Sequence, residues 1–168
     1  MRMSSASIDR CLRHEKDVER VNLKHRKRGS SPLLSSVPIK TSYDLEKEKP
    51  GSIQIDCVEH CGLSASGEYV LSLTTVDILT GWWEGAAVMG KGQERTLSGM
   101  RACGKRSPVA WNEMHPDNGN NILNWHVVAY AKKEGVALSR SRPYQKKDNC
   151  SVDQKNSTHV RNPFGYLP

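Results

Sequence analysis

From Ser52 to Val58 apolar and polar residues alternate, with Ile53, Ile55 and Cys57 on one side and Gln54, Asp56 and Val58 on the other. That period of two predicts a β-strand. Gly62 to Gly67 supplies a turn, Tyr69 to Val76 is rich in strand formers, and Asp77 to Gly81 turns the chain into a third strand over Trp82 to Met89. Three successive strands joined by short turns predict an antiparallel meander. Gln93 to Cys103 then reads as a helix interrupted by Gly99, and Val109 to Met114 as a fourth strand. That strand runs into Pro116-Asp117-Asn118-Gly119, a strong turn signal. Asn121 to Glu134 has an apolar stripe (Ile122, Leu123, Trp125, Val128, Ala129) and a closing Gly135, the pattern of a capped helix. A fifth strand is expected over Val136 to Ser139. After the polar loop Arg142 to Asp148, a last helix is expected over Asn149 to Asn162, stopped by Pro163. Upstream, Ser7 to Val21 reads as a helix with Ile8, Cys11, Leu12 and Val18 near one face.

Three strands, helix, strand, helix, strand, helix is the element order of an α/β, ribonuclease H-like fold. It predicts a five-stranded mixed sheet, a three-strand antiparallel meander plus two further strands, flanked by helices. The composition changes along the chain. Residues 23–50 carry basic residues, Ser and Pro and read as a linker, whereas residues 51–168 carry the globular pattern. The 168 residues suffice for one ordinary domain with a short extension.

Charge narrows the class of partner. Lys and Arg number 25 against 18 Asp and Glu, a net charge of +7, which favours a polyanion. One basic run (Arg20, Lys24, Arg26, Lys27, Arg28) has no acid among its charges and is equally well read as a solvated linker. A second group surrounds the end of the chain: Lys132, Lys133, Arg140, Arg142, Lys146, Lys147, Lys155 and Arg161. Its overlap with the acidic positions below points to phosphate contact. The five cysteines form no Cys-x-x-Cys pair, and no signal peptide or membrane-length apolar run is evident. A reducing cytoplasm with free thiols follows as the expectation. Cys57, His60 and Cys61 lack the second ligand pair that a structural zinc site needs.

Three acids stand out, and each has a plain alternative. Asp56 lies mid-strand among apolar neighbours, where a carboxylate is costly unless paired or metal-bound, or else sits at an exposed rim. Asp117 before Asn-Gly is ordinary turn chemistry. Asp153, near the start of the last helix, could simply complement the helix dipole. Together they mean more, because the fold lays the first strand beside the end of the fourth and brings the last helix across that edge. Three converging carboxylates suit Mg²⁺, and two such ions can activate a nucleophile and stabilise the leaving oxygen of a phosphodiester.

The ordered words of this region carry a family resemblance. Asp117 and Asp153 have 35 residues between them. Around them stand Ile55-Asp56, His60-Cys61-Gly62, Gly67-Glu68-Tyr69, Thr80-Gly81-Trp82, Asp117-Asn118-Gly119, Ser141-Arg142-Pro143-Tyr144, and Asp148-Asn149 leading to Gln154-Lys155-Asn156. Over about residues 50–166 this set resembles the integrase-type catalytic core of acidic-triad transposases of bacterial insertion sequences. Residues 4–28 resemble, more weakly, the helix-turn-helix region that precedes that core, so residues 1–22 are expected to be a partial remnant of it. The resemblance implies a transposase or integrase activity: cleavage of DNA and strand transfer by Asp56, Asp117 and Asp153, which hold two Mg²⁺ (or Mn²⁺) ions. It implies DNA partners (transposon ends and target), a homo-oligomer, no membrane, and a cytoplasmic, DNA-associated location. It places Lys155 and Asn156 on DNA near the metals and has Arg140 and Arg142 help hold the strand; Lys146 and Lys147 join them on charge. Departures are Asp153 where the family usually has Glu, Ser157 where tryptophan is common, and Pro163 where a helix usually continues. The core is expected to be truncated at the C-terminus. Two other functions remain open: a non-catalytic DNA-binding remnant of a decaying transposase, and a stand-alone ribonuclease H-like nuclease.

Overall fold

The computed structural model describes residues 7, 10–13, 31–45, 47–62 and 64–165. Contacts divide the chain into two compact units, Met1–Ser35 and Ser36–Pro168. In the first unit, residues 7, 10, 11 and 13 are helical and residue 12 is a turn; the other positions of the helix expected over 7–21 lie outside the described residues.

The second unit is built on β1 (Ser52–His60), β2 (Val70–Asp77), β3 (Trp83–Met89), β4 (Glu113–Pro116) and β5 (Ala137–Leu138). They form one mixed sheet in the order β3-β2-β1-β4-β5. β1, β2 and β3 pair antiparallel, and β4 and β5 add on parallel to β1. Ile53, Ile55, Leu71, Leu73, Val88 and Met114 of the sheet pack with Leu97, Met100 and Cys103 of helix α1 (Gln93–Arg106) and with Val127 and Ala131 of α2 (Trp125–Glu134). The opposite side of β1 and β2 is covered by α3 (Cys150–Lys155). β1 is therefore buried on both faces, as a central strand must be. This is the expected ribonuclease H-like sheet.

Several elements differ from the sequence expectation for local reasons. Helix α1 runs unbroken through Gly99, because the glycine serves packing: a Cβ there would meet Val88 Cγ2 at 2.8 Å and Leu73 Cδ2 at 3.0 Å. Helix α2 starts at Trp125 rather than Asn121, because the Asn124 side chain accepts from the His126 and Val127 N–H groups and caps it there. Trp125 is consequently exposed, and Val127 and Ala131 form the buried stripe. Pro163 does not stop the last helix. A wider turn over Asn156–Arg161 precedes it, with the Asn162 N–H reaching back to Ser157 O, and helical backbone continues over Asn162–Phe164 until Gly165. Proline lacks a donor and crowds the carbonyl four residues back, which a widened turn relieves.

Part of the expected linker belongs to the second unit. Arg140 N–H donates to Pro38 O and Lys40 N–H to Arg140 O, both at 3.0 Å, giving Ile39 a parallel bridge with Arg140. Val37 and Leu45 are buried. A backbone bridge draws on groups that every residue has, so the Ser/Pro composition did not reveal it.

Candidate active site

Sheet register brings the first two acids together. Ile55 pairs with Pro116, the last residue of β4, and the Asp117 N–H donates to Ile55 O at 3.2 Å. Asp117 thus falls level with Asp56 on the neighbouring strand. Asp153 lies in the first turn of α3. Asp56, Asp117 and Asp153 line one cleft of about 470 Å³, with Asn149 and Arg161. Asp117 is exposed at its mouth, whereas Asp56 and Asp153 are half-buried.

Helix α3 is bolted to the sheet at both ends. At its start the wholly buried Gln54 accepts from the Ser151 and Val152 N–H groups, each at 3.1 Å, and donates from Nε2 to Asp148 O at 2.9 Å. Two orphan N–H groups of the helix start are satisfied by β1 itself. At its end the wholly buried Asn156 donates from Nδ2 to Asp56 Oδ2 at 2.8 Å and accepts from Thr74 Oγ1 at 2.6 Å. Gln54 and Asp56 share the α3 side of β1, so one strand carries a carboxylate and sets the helix that carries another.

Burial pushes the Asp56 carboxyl up to about 6; the backbone N–H of Cys57 opposes the shift, and the charges of Asp117 and Asp153 add to it. Arg161 pulls the other way. The cleft therefore concentrates negative charge on oxygen, the donor chemistry of Mg²⁺ and Mn²⁺. Among the described residues no three Asp, Glu, His or Cys side chains are drawn into a ready-made coordination cluster. Mg²⁺ keeps several waters and is commonly held by one or two carboxylates, so the donor set fits a hard divalent cation. Cys57 and Cys61 pack against the apolar core, and His60 Nε2 pairs with Ser72 Oγ at 2.8 Å.

The residues expected on DNA separate into two groups. Lys147 is exposed and Lys155 half-buried; the side chain of Lys146 lies outside the described residues. The others have partners within the protein. Asn156 is wholly buried behind Asp56, so it does not reach a nucleic acid on this face. Arg142 grips the buried Asp148 with Nε at 2.9 Å and Nη2 at 2.8 Å, fixing the loop that leads into α3. Arg140 spans Val37 O at 3.2 Å and Asn118 Oδ1 at 3.3 Å. Both arginines thus also tie the protein to itself.

Sequence reasoning passed over Gln54, Thr74 and Asn149 as parts of this site, and it named Arg161 only within the basic group around the acids. Gln54 had a usable signal: a long polar side chain two residues before Asp56 on the same strand face has to find a buried partner. For Thr74 no local signal existed.

No family model matches the chain. A protein of Sinorhizobium fredii (strain NBRC 101917 / NGR234), described as uncharacterized protein y4rM, is 32% identical over 164 residues. The match covers 98% of this chain and 47% of that protein, so the chain spans about half its relative's length. Two solved structures share the fold. The catalytic core domain of BIV integrase superposes with a TM-score of 0.51 at 14% identity, covering 63% of this chain and 64% of that one. The HTLV-2 integrase catalytic core domain in complex with magnesium gives 0.54 at 13% identity, over 71% and 75%. The chain therefore has the ribonuclease H-like fold of the retroviral integrase catalytic cores.

Proposed function

We propose that this chain is the catalytic core of a bacterial insertion-sequence transposase, cutting DNA and transferring strands with Asp56, Asp117 and Asp153. The observation that carries the reading is the shared cleft, with Asp117 level with Asp56 on adjacent strands and Asp153 brought over by a helix anchored to β1. A divalent cation held by these carboxylates would supply Lewis acidity and an activated oxygen nucleophile. The chain's own part is to fix the three carboxylates, to hold Asp56 between Asn156 and the sheet, and to present Lys147 and Lys155 to a phosphate backbone. Retroviral integrase cores of the same fold, one of them solved with magnesium, support the reading at the level of fold.

A second reading has its own observation. Arg161 lines the same cleft, and its charge opposes that of Asp56. A built-in cation would suit a core that keeps its fold and DNA affinity without cutting. Nicking of supercoiled plasmid by the purified chain in Mg²⁺ and in Mn²⁺ separates the two. The catalytic reading expects metal-dependent nicking that Asp117→Asn abolishes. Nicking that survives Asp117→Asn, or its absence in both metals, would refute that reading.

A further inference from the structure

We infer that Asn149 is a fourth oxygen ligand of the divalent cation in the acidic cleft, an inference that rests on the metal-binding reading of that cleft. Asn149 is the residue before α3, 8% exposed, and it lines the cleft with Asp56, Asp117 and Asp153. Its Oδ1 is buried and has no hydrogen-bond partner, whereas its Nδ2 donates to Ser141 Oγ at 3.4 Å. A buried amide oxygen without a donor is costly and needs an explanation.

Its neighbours bear on which way the amide faces. Ser141 Oγ has one proton, and it lies 3.4 Å from Asp117 Oδ1, a carboxylate oxygen. With its proton given to Asp117, Ser141 Oγ accepts from Asn118 Nδ2 at 3.4 Å and from Asn149 Nδ2. In this structure the nitrogen faces Ser141, and Oδ1 is left without a donor. The three carboxylates of the cleft are acceptors as well, and the guanidinium of Arg161, which also lines the cleft, does not donate to it. A hard cation drawn in by those carboxylates satisfies the amide oxygen and the carboxylates together.

The residue is also placed to serve. Asn149 and Asp153 are four apart at the start of one helix and so lie on one face. The preceding Asp148 is tied by Arg142 through its side chain and by Gln54 through its carbonyl. A ligand held this way costs little ordering when the cation arrives. A neutral oxygen also suits a site whose third acid is an aspartate, because it adds a donor without adding like charge.

The test is Mn²⁺ binding to the full chain, followed by calorimetry and by the Mn²⁺ spin-resonance signal, with folding checked by circular dichroism. Asn149→Ala should weaken Mn²⁺ binding by about tenfold, the lower end of what loss of a supporting group in a metal site brings. Asn149→Asp, of the same shape, should bind at least as tightly as the parent and keeps the test available if the alanine variant fails to fold. Asn149→Cys should shift preference from Mn²⁺ towards Cd²⁺ relative to the parent, since a thiolate is a soft ligand. A merely structural role for Asn149 would not move that ratio. Unchanged Mn²⁺ affinity in Asn149→Ala together with an unchanged metal preference in Asn149→Cys would overturn the inference and leave the carboxylate site standing. A parent chain that binds no Mn²⁺ would overturn the metal reading of the cleft itself, and the inference with it.

Discussion

Gln54 offers a direct measure of how firmly the third carboxylate is placed. Replacing it with leucine keeps the volume and removes three hydrogen bonds: Val152 N–H and Ser151 N–H at 3.1 Å each, and Asp148 O at 2.9 Å. Val152 and Asp148 are buried, so their backbone groups would lose their partners out of reach of water; Ser151 is half-buried and recovers in part. Each buried polar group left unpaired costs about 1–3 kcal/mol, and two full losses and one partial loss, offset by no longer burying an amide, come to about 2–5 kcal/mol. That is a large share of the roughly 5–15 kcal/mol by which a domain is stable. Gln54→Glu is the informative partner variant. Its carboxylate still accepts from both N–H groups, but it is wholly buried on the same strand face as Asp56 and sets an oxygen against Asp148 O, so at pH 7 its deficit should be at least that of Gln54→Leu. Urea unfolding of parent and variants followed by circular dichroism gives the values, and amide exchange at Ser151 and Val152 reports whether the loss is local. If Gln54→Leu unfolds within about 0.5 kcal/mol of the parent, an ordinary surface-substitution effect, the anchoring of α3 by β1 is wrong.

Asp56 makes a prediction with the opposite sign. Its folded carboxyl titrates at about 6 against 3.8 when free, so the folded chain holds the extra proton between those values. Stability then falls as pH rises through that window, to a cost of about 3 kcal/mol above it. Without metal and in chelator, Asp56→Asn should therefore raise urea stability at pH 8 by up to that amount, with the gain shrinking towards pH 4; a pH-independent loss would refute the burial argument. Arg142→Ala strips the buried Asp148 of both guanidinium contacts, so the melting temperature at pH 7 should fall, measured by thermal unfolding. The pair holds the Asp148 carboxyl below its ordinary range, so that contribution is present at neutral pH and should fade as pH falls through the lowered value; a loss that persists in acid would point to packing instead. For DNA, Lys147→Gln with Lys155→Gln should reduce the slope of log affinity against log salt by about 2, at roughly 0.9 per phosphate contact, whereas Arg142→Ala should leave the slope nearly unchanged. Filter binding across a salt series checks both, and an unchanged slope in the lysine pair would move the DNA surface elsewhere.

Sheet and helix order were legible because they rest on local periodicity. The alternation at Ile53, Ile55 and Cys57 and the Gly135 cap each act over a few residues, and β1 to β3 and the end of α2 followed from them. Asp56, Asp117 and Asp153 were legible as a set through their spacing and flanking words, and sheet order then sets two of them level. Element ends were less so. The expectation of a break at Gly99 weighed helix propensity alone, whereas the packing of α1 on Val88 and Leu73 requires a residue without Cβ there.

What only the tertiary structure decided was which partners the polar side chains find within the protein. Arg142, Arg140 and Asn156 look, along the chain, like residues that meet a nucleic acid, because charge and polarity are local while partners are not. Arg140 is tied to Val37, 103 residues away, and Asn156 to Asp56, 100 residues away. The same holds for Asp153. Its side chain is one methylene shorter than the glutamate of the family it resembles, and Ser157 and Pro163 depart from that family's pattern in the same helix. In the fold, Gln54 and Asn156 pin that helix from both ends. Residue type sets what each group is able to bond, and only the pairing of distant segments decides which bond it makes.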